Sequence, residues 1–423
     1  MSAVWLHVGQ CGNQIGQEWW SFIADRAGPN CPSDRYPFVS SDGKLAAICV
    51  DSEPKVVRKG QTQVKNGCFR DSNLIFEKEG CGSNWAYGYH GPPSQKESGL
   101  RQRVMESLRK EIERRDCYSG TVLFHSLSGG TGAGLGARLC EDIRDEYPVG
   151  YILTVSVAPH KAGESPLQHY NNLLCLSALQ RSADGILLVC NDQVMNQVLS
   201  PLNRGGAIST SHQPQASMSV MNTHIASCLA GLLYPVRSLR TASGISLGLE
   251  PWELIRSVCP VPAAKFLQSS QASTRGVIPW ESLASSTLKA VPRHSSSGTS
   301  YCSTAVLAVA RGDQSGSFQH NLNHVLQKLK QGHHCPSWNP FPIDYWTDPQ
   351  DVVNAGPSSH SLTVCSNHSS VVDFLQQVNE RAQEMFKAGA YLHWYRRYSC
   401  EDLEFLQAFE TVDGVIAEYL KQG

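Results

Sequence analysis

Seven consecutive residues have the composition of a phosphate-binding turn. They lie between a short apolar run at 121–127 and a helical pattern that starts at Leu135, and they are Ser128, Gly129, Gly130, Thr131, Gly132, Ala133 and Gly134. Glycines let backbone N–H groups approach an anion closely, and a helix N-terminus adds unsatisfied donors and roughly half a positive charge. Thr131 adds a hydroxyl group. Because strand, glycine turn and helix follow in the order that phosphate binding needs, the pattern favours a phosphate site over a flexible loop without a ligand.

Three other segments also carry residues that suit a phosphate site, and each of them adjoins or follows a strand pattern or a glycine-rich run. Residues 9–16 (GQCGNQIG) and 80–88 (GCGSNWAYG) are rich in glycine, and Asp51 and Glu53 follow a strand pattern at 45–50. In a parallel sheet the carboxyl ends of the strands share one edge, so these segments are expected to meet there. An acidic pair beside phosphates would hold Mg²⁺. Taken alone, Asp51 and Glu53 are explained about equally well as the N-cap and first-turn acid of a helix.

Two common nucleotide motifs fit the glycine turn less well. It lacks the Gly-Lys-Ser/Thr of a P-loop, so no lysine reaches the phosphates. Residues 132–136 (GAGLG) approximate a dinucleotide fingerprint, which requires an acid at the end of the next strand to bind the ribose. That strand pattern ends Val-Ala-Pro-His at 157–160. The missing acid argues against an NAD(P)-dependent oxidoreductase of the Rossmann type.

Two further groups are weaker candidates for chemistry. His333, His334 and Cys335 stand between a glycine and a proline, which predicts an exposed loop instead of a metal site. Cys11 would need a nearby base to act as a nucleophile. Because His7 lies within the preceding strand pattern and is expected to face the core, Cys11 is predicted to pack beneath a ligand.

The elements that must position these residues alternate between strand and helix. Helical patterns at 101–116 and 135–147 separate short apolar runs, which are typical of buried parallel strands and occur at 4–8, 45–50, 121–127, 151–158 and 186–190. This order predicts an α/β domain with a mostly parallel sheet.

The pattern changes in the second half of the chain. Segments 203–217 and 236–248 and the Ser-rich stretch 269–303, above all 294–298, read as irregular. An apolar helix is predicted at 218–234. Strand patterns at 304–310 and 362–365 bracket a helical pattern at 322–329, which suggests a second, smaller α/β domain. Two final helices are predicted from apolar stripes at Val371, Leu375, Val378, Ala382 and Met385, and at Leu403, Leu406, Phe409, Val412 and Ile416. The predicted domains are 1–192, 193–369 and 370–423.

Composition limits the class of protein. The chain has 423 residues, 41% of them hydrophobic and 17% charged, so it is expected to fold into more than one compact domain. Its formal net charge of −1 gives no basic field for nucleic acid. The 15 cysteines form no CxxC pair, which favours reduced thiols in a cytosolic protein. We expect neither a signal peptide nor a membrane span, since the start has no basic region and no run of about 18 apolar residues occurs.

Four of these motifs together resemble the nucleotide loops of the tubulin family. The segments GQCGNQIG, VDSEP, GCGSNWAYG and SGGTGAG occur in the family's order and spacing. Later matches to family positions are Tyr170-Asn171, Asn191-Asp192, Arg311-Gly312-Asp313 and His393-Trp394-Tyr395. The resemblance covers nearly the whole chain and is weakest at 203–249 and 268–303. FtsZ-like division GTPases share the glycine turn but not GQCGNQIG, so they fit less well.

The resemblance implies a tubulin-like fold: a parallel-sheet GTP-binding domain, a smaller α/β intermediate domain and a C-terminal helical hairpin. It implies bound GTP or GDP, with Mg²⁺ near Asp51 and Glu53. Asn191 and Asn222 would read the guanine edge, because an amide offers both a donor and an acceptor. Residues implied at the remaining nucleotide contacts are Gln10, Cys11, Asn84, Ser126 and Ser128 to Gly134. Two departures from the family pattern are Ser83, in place of an asparagine, and Met218, in place of a stacking aromatic residue.

In this family, GTP hydrolysis is completed in trans by an acid of the next subunit. Glu250 and Glu253 lie in the corresponding stretch, with a spacing that would put both on one helical face. A solvated helix start after Pro251 accounts for them about equally well. The resemblance therefore implies at most a weak GTPase that a neighbouring subunit completes.

Within the family, the residues are most similar to the delta-tubulin branch. The features concerned are residues 84–89 (NWAYGY), Gln168 in place of a ribose-binding glutamate, and an end at Gly423 without a glutamate-rich tail. That resemblance implies a cytoplasmic, cytoskeletal protein of centrioles, centrosomes, basal bodies and the base of cilia, needed for triplet microtubules. Implied partners are epsilon-tubulin, alpha/beta-tubulin and centriolar proteins, without nucleic acid or membrane. The alternatives are an alpha- or beta-like lattice subunit and, in a different class, the oxidoreductase.

Overall fold

The computed structural model describes residues 3–26, 38–40, 42–64, 68–92, 99–161, 163, 165–202, 217–236, 248–276, 278–295, 298–313, 316–354 and 359–422. Its strands are β1 Ala3–Val8, β2 Ala47–Asp51, β3 Leu74–Phe76, β4 Gly120–Ser126, β5 Tyr151–Ala158, β6 Gly185–Cys190, β7 Phe266–Thr274, β8 Ser303–Arg311, β9 Ile343–Asp348 and β10 His360–His368. Its helices are α1 Gly9–Arg26, α2 Pro54–Gln63, α3 Trp85–His90, α4 Leu100–Glu113, α5 Gly136–Glu146, α6 Gln168–Ser182, α7 Asn191–Leu202, α8 Met218–Leu233, α9 Glu253–Val258, α10 Trp280–Leu288, α11 Ser317–His320, α12 Leu322–Gly332, α13 Val371–Lys387, α14 Leu392–Arg396 and α15 Asp402–Lys421.

One sheet joins the ten described strands in the order β3-β2-β1-β4-β5-β6-β7-β10-β8-β9. The strands from β3 to β7 are parallel, β10 is antiparallel to both of its neighbours, and β8 and β9 are parallel. The predicted α/β class with a mostly parallel sheet is confirmed. The sheet continues across the predicted domain boundary near residue 192, so the division of the chain into domains stays a prediction.

Among the described strands, β6 and β7 are the neighbours that pair over the fewest residues. These strands pair at two positions, Ile186 with Phe266 and Leu187 with Leu267. The hydroxyl of Tyr419 on α15 covers this junction, because it accepts from Phe266 N at 3.0 Å and donates towards Asn367 Oδ1 at 2.7 Å. The last helix of the chain therefore contacts the backbone of β7 directly.

The parallel strands are apolar because both of their faces are buried. Along β1, Leu6 enters a core with α5, α6 and the C-terminal helices, while Trp5 enters a second core on the opposite face. Trp5 packs there against Trp19 and Phe124. His7 lies in the same aromatic group and accepts a hydrogen bond from an indole N–H of α1. As expected, His7 is buried, and burial lowers its pKa to about 3.

Several expectations for the second half require correction. The Ser-rich stretch 269–303 contains most of β7 and all of α10. β7 is polar because it is half-exposed and pairs with β10 through its backbone, and α10 is held by Trp280 and Leu283 in a small apolar core. Residues 203–216, 237–247 and 296–297 lie outside the described residues, so the expected irregular segments there are not described.

The apolar stripe of the last helix was predicted partly wrongly. Leu403 and Leu406 are 62% and 53% exposed, and the buried side of α15 instead includes Phe405 and Tyr419 together with the predicted Phe409, Val412 and Ile416. His333 is also a correction: it is fully buried and bonded to Ser303 Oγ at 2.9 Å, not part of an exposed loop.

No disulfide joins the 14 cysteines among the described residues. In the same part of the chain, no helix combines the length and the apolar character needed to cross a bilayer.

Candidate functional site

The glycine turn follows β4 and leads directly into α5. Residues Thr131–Leu135 form one turn of π-helix, in which Gly136 N donates to Thr131 O, and Gly134 N donates to Gly130 O at 2.8 Å. Ser126, at the end of β4, lies beneath the turn, since a Cβ on Gly132 would be 2.8 Å from Ser126 Oγ. The predicted order of strand, turn and helix is present, and the turn lies at the carboxyl edge of the parallel strands.

Helix α3 lies against this turn with no side chain between the two backbones. A Cβ on Gly134 would be 2.2 Å from Trp85 O, and one on Gly88 would be 2.3 Å from Gly130 O. Real Cβ atoms do not approach so closely, so both positions require glycine. The glycine-rich segment at 80–88 therefore supplies a helix, α3, that packs directly on the glycine turn.

The segment at 9–16 is the start of α1 and not a loop. Gly9 has φ +74°, and a Cβ there would be 2.7 Å from Gly132 N, so α1 begins in contact with the glycine turn. Gln10 is exposed beside it. Cys11 is half-buried, and burial raises its thiol pKa to about 12, which agrees with a packing role and not a nucleophilic one.

Strand β2 brings the acids to the same place. Ser52 Oγ and Thr131 Oγ1 are 2.6 Å apart, so the segment after β2 touches the glycine turn directly. Asp51 is buried, and burial raises the pKa of its carboxyl to about 6, with a smaller contribution from nearby Glu53. Glu53 is exposed at the N-cap position of α2, where its side chain makes no capping hydrogen bond.

Asn171, which the sequence analysis names only as a match to a family position, connects the segments around the glycine turn. It is fully buried on α6, and its amide donates to Ser83 O and Ser128 O, at 2.7 Å each. Its oxygen accepts from Trp85 N at 3.0 Å and from Tyr395 O–H at 2.7 Å. All four hydrogen-bonding positions of the amide are therefore used. The signal that could have indicated its role is a polar side chain on a helix that is otherwise almost entirely buried.

Replacing Asn171 by alanine should loosen the site and the fold together. The change removes the partner of four polar groups, two of which belong to the buried residues Trp85 and Tyr395, so we expect the free energy of unfolding to fall by about 3 kcal/mol. Urea denaturation measures this loss, and the nucleotide content of the purified variant should fall with it. Asn172 is the matched control, because it is also buried on α6 but its Oδ1 has no partner. An equal loss from Asn172→Ala would contradict the assignment.

His125 supports the glycine turn from below. It is fully buried, with Nδ1 3.1 Å from Gly132 O and Nε2 2.7 Å from Ser156 Oγ. The carbonyl oxygen of Gly132 can only accept, so Nδ1 carries the proton of a neutral imidazole. Burial lowers the pKa of His125 from 6.5 to about 4.

This histidine should make the protein sensitive to acid. Between pH 6.5 and about 4 the unfolded state binds a proton that the folded state does not, so stability is complete above this window and falls as the pH decreases through it. The expected loss is about 3 kcal/mol at pH 4. Between pH 7 and pH 4, the free energy of unfolding should therefore fall by about 3 kcal/mol less in His125→Gln than in the wild type. Urea denaturation at the two pH values measures this difference. His320→Gln, at an exposed histidine of α11, should change nothing.

The remaining predicted contacts are placed in three ways. Asn84 is the N-cap of α3: its Oδ1 accepts from Ala86 N, and its Nδ2 donates to Trp394 O, both at 2.9 Å. Asn191 is the first residue of α7, at the carboxyl end of β6. Asn222 is buried on α8, which a 2.9 Å bond from His224 to α7 holds in place. The two asparagines therefore lie on two helices that contact each other.

The two acids suggested for catalysis in trans differ in their surroundings. Glu253 is only 6% exposed, and its carboxylate accepts from the N–H groups of Gly248, Leu249 and Glu250 at 2.8–3.2 Å. This arrangement favours a structural role for Glu253. Helix α9 begins at Glu253, so half-buried Glu250 precedes it and the two do not share a helical face.

Comparison with known proteins finds similarity over nearly the full length. Residues 2–198 match the model of the Tubulin/FtsZ family, GTPase domain. The tubulin beta chain of Pleurotus sajor-caju is 27% identical over 442 aligned positions, which cover 98% of this chain and 94% of that protein. The nucleomorph tubulin beta chain of Guillardia theta is 26% identical, with 98% and 95% covered. The tubulin beta chain of Schizophyllum commune is 26% identical, with 98% and 94% covered.

Proposed function

Because this chain belongs to the tubulin superfamily, we propose that it binds GTP or GDP at the carboxyl edge of its sheet and associates there with other tubulins. The observation that carries the proposal is the meeting of three other segments at the glycine turn. Gly9, Ser52 and Gly88 each contact that turn from a different element. The nucleotide phosphates would rest on its backbone, with Gln10, Cys11 and Ser126 beside it, and the guanine would lie between Asn191 and Asn222.

The residues around Asp51 fit a magnesium ion. Its carboxylate is buried, and the groups that influence it are N–H donors, the Ser52 hydroxyl and Glu53, with no basic side chain of the described residues among them. A divalent cation bound to oxygen ligands would supply the missing positive charge. Asp51 and Glu53 would hold it, and Mg²⁺ would neutralise charge on the nucleotide phosphates.

Replacing Asp51 by asparagine should remove the effect of magnesium. The amide keeps the shape of the carboxylate but loses the charge that binds the cation. In the wild type, removal of Mg²⁺ with EDTA should weaken nucleotide binding. In Asp51→Asn the binding should already be weak, and EDTA should change it little, as measured by equilibrium titration. Asp116→Asn, at an exposed acid beyond α4, should behave as the wild type. A full magnesium response in Asp51→Asn would refute the role.

The first experiment is to identify the nucleotide that copurifies with the folded protein, by denaturing it and separating the released nucleotide on an ion-exchange column. GTP or GDP near one per chain supports the proposal. An empty protein would refute it and direct attention to Ser83 and Met218, where the chain departs from the family pattern. NAD(P) in place of guanine nucleotide would support the oxidoreductase.

We propose further that any GTP hydrolysis is slow in the monomer and completed by a neighbouring subunit. Glu250 supports this role better than Glu253, since the carboxylate of Glu253 already binds three N–H groups. Hydrolysis per chain should rise with protein concentration and fall on dilution. Rapid hydrolysis at high dilution would contradict the proposal.

At a finer level, we propose a delta-tubulin-like role in forming or maintaining triplet microtubules at centrioles and basal bodies. Residues 84–89 and Gln168, which resemble that branch, support this role. Similarity to tubulin beta chains over 98% of the chain favours a second candidate, a microtubule lattice subunit. Depletion followed by electron microscopy of centriole cross-sections separates the two. Loss of the third microtubule supports the first role, and co-assembly with alpha/beta-tubulin near one to one supports the second.

A further inference from the structure

A second group of polar side chains lies where the end of α3 meets the start of α15. His90, Cys400 and Glu404 each direct one metal-binding atom to a common point, and the three atoms lie within 4.8 Å of one another. His90 Nε2 is 3.2 Å from Glu404 Oε2, although the two residues are 314 positions apart in the chain. The fold, and not local sequence, therefore assembles this group.

Each of the three residues is oriented by its own surroundings. The His90 ring is the last side chain of α3 and packs edge-on against Trp85 and Tyr89. Cys400 is buried, and its backbone N–H donates to Tyr395 O at 3.3 Å. Glu404 uses Oε1 to accept from the N–H of Glu401, at 3.3 Å, which leaves Oε2 to face His90. The hydrogen bond to Glu404 Oε1 is of the kind that orients metal ligands in known sites.

The chemical types of the three ligand atoms favour zinc over magnesium or calcium. Magnesium and calcium take oxygen ligands, whereas imidazole, thiolate and carboxylate together suit zinc, which often has three protein ligands and a water. Bonds of about 2.0–2.3 Å would require the three donors to approach by up to about 1 Å. Rotation of the exposed His90 ring allows that movement. We propose that His90, Cys400 and Glu404 form a zinc-binding site that joins α3 to α15.

Zinc at this site would reinforce contacts that already join the two regions. Asn84 donates to Trp394 O at 2.9 Å, and the rings of Tyr87 and Tyr398 pack edge-on at 4.9 Å. Because Gly88 of α3 lies against the glycine turn, the ion would fix the C-terminal helices to the element that borders the phosphate site. Because a thiol loses its proton when it binds zinc, binding should release a proton and weaken as the pH falls.

Cobalt(II) titration of the full-length protein, kept reduced and in excess Mg²⁺, tests the site. The wild type should develop the visible absorption of tetrahedral cobalt together with a thiolate-to-cobalt band in the near ultraviolet. One equivalent of zinc per chain should displace both. Cys400→Ser should lose the thiolate band, and His90→Gln should lose the tetrahedral spectrum. Cys117→Ser, which removes an exposed cysteine bonded to Ser119, is the matched control and should keep both signals.

The control for folding is the nucleotide content and the metal-free melting temperature of each variant, which should equal those of the wild type. A wild-type spectrum without the thiolate band would overturn the proposal, and so would a thiolate band that persists in Cys400→Ser. The titration does not depend on which nucleotide the protein carries, so a failure of the zinc site and a failure of the proposed function are separate results.

Discussion

Replacing Gly134 by alanine is expected to abolish nucleotide retention and to lower the free energy of unfolding by about 3 kcal/mol. The added Cβ would be 2.2 Å from Trp85 O and 2.8 Å from Tyr89 N. Both are backbone atoms, so no change of rotamer relieves the overlap, and the glycine turn must separate from α3. Urea denaturation gives the stability loss, and ion-exchange analysis of the released nucleotide gives the binding loss.

Gly414 provides the matched control for this change. It lies within α15, and a Cβ there would meet nothing within 4 Å. Because alanine has the higher helix propensity, Gly414→Ala should stabilise the protein by about 0.5–1 kcal/mol and leave the nucleotide in place. If Gly134→Ala retained its nucleotide, the close contact between α3 and the turn would not matter for binding.

The second large effect is expected at Arg311. This residue is fully buried at the end of β8, and its guanidinium forms an ion pair with Asp348, which is 1% exposed, at 3.0 Å. It also donates to Gly231 O and Tyr234 O, at the end of α8. Arg311→Met takes the guanidinium away from the buried Asp348 carboxylate and from these two carbonyl groups. We expect the free energy of unfolding to fall by about 3–5 kcal/mol, measured by urea denaturation.

Two comparisons make the Arg311 experiment specific. Adding Asp348→Leu to Arg311→Met removes the buried carboxylate and should restore part of the stability. The recovery should not be complete, because Gly231 O and Tyr234 O still lack the guanidinium and Gln350 N loses its bond to Asp348 Oδ1. Arg109→Met breaks an exposed ion pair with Glu106 and should cause no measurable change. No recovery in the double variant would mean that the ion pair itself contributes little to the loss.

The parallel half of the sheet could be predicted from sequence because its strands are buried on both faces. β1, β4, β5 and β6 read as continuous apolar runs for that reason. β7 could not be predicted in this way, since its half-exposed serines and glutamines have the pattern of a loop and its strand geometry depends on pairing with β10. β3 is only three residues long, too short for any periodicity to appear.

The site shows the same division between local and distant causes. The glycine turn between β4 and α5 is a local pattern, and its position at the sheet edge follows from the order of elements. The role of Asn171 depends on Ser83, Ser128 and Tyr395, which are far from it in sequence. Glu253 is different, because its carboxylate binds the N–H groups of residues only three to five positions before it, a local arrangement that the sequence analysis did not predict.

The narrow pairing of β6 with β7 has a mechanical consequence. Two residue pairs join the parallel strands that carry the glycine turn to the antiparallel strands beyond, so the sheet is most compliant at this joint. Helix α15 supports this joint through the Tyr419 hydroxyl, which forms hydrogen bonds with β7 and with Asn367 of β10. Any tilt of one half against the other must strain these bonds, so the last helix stiffens this joint.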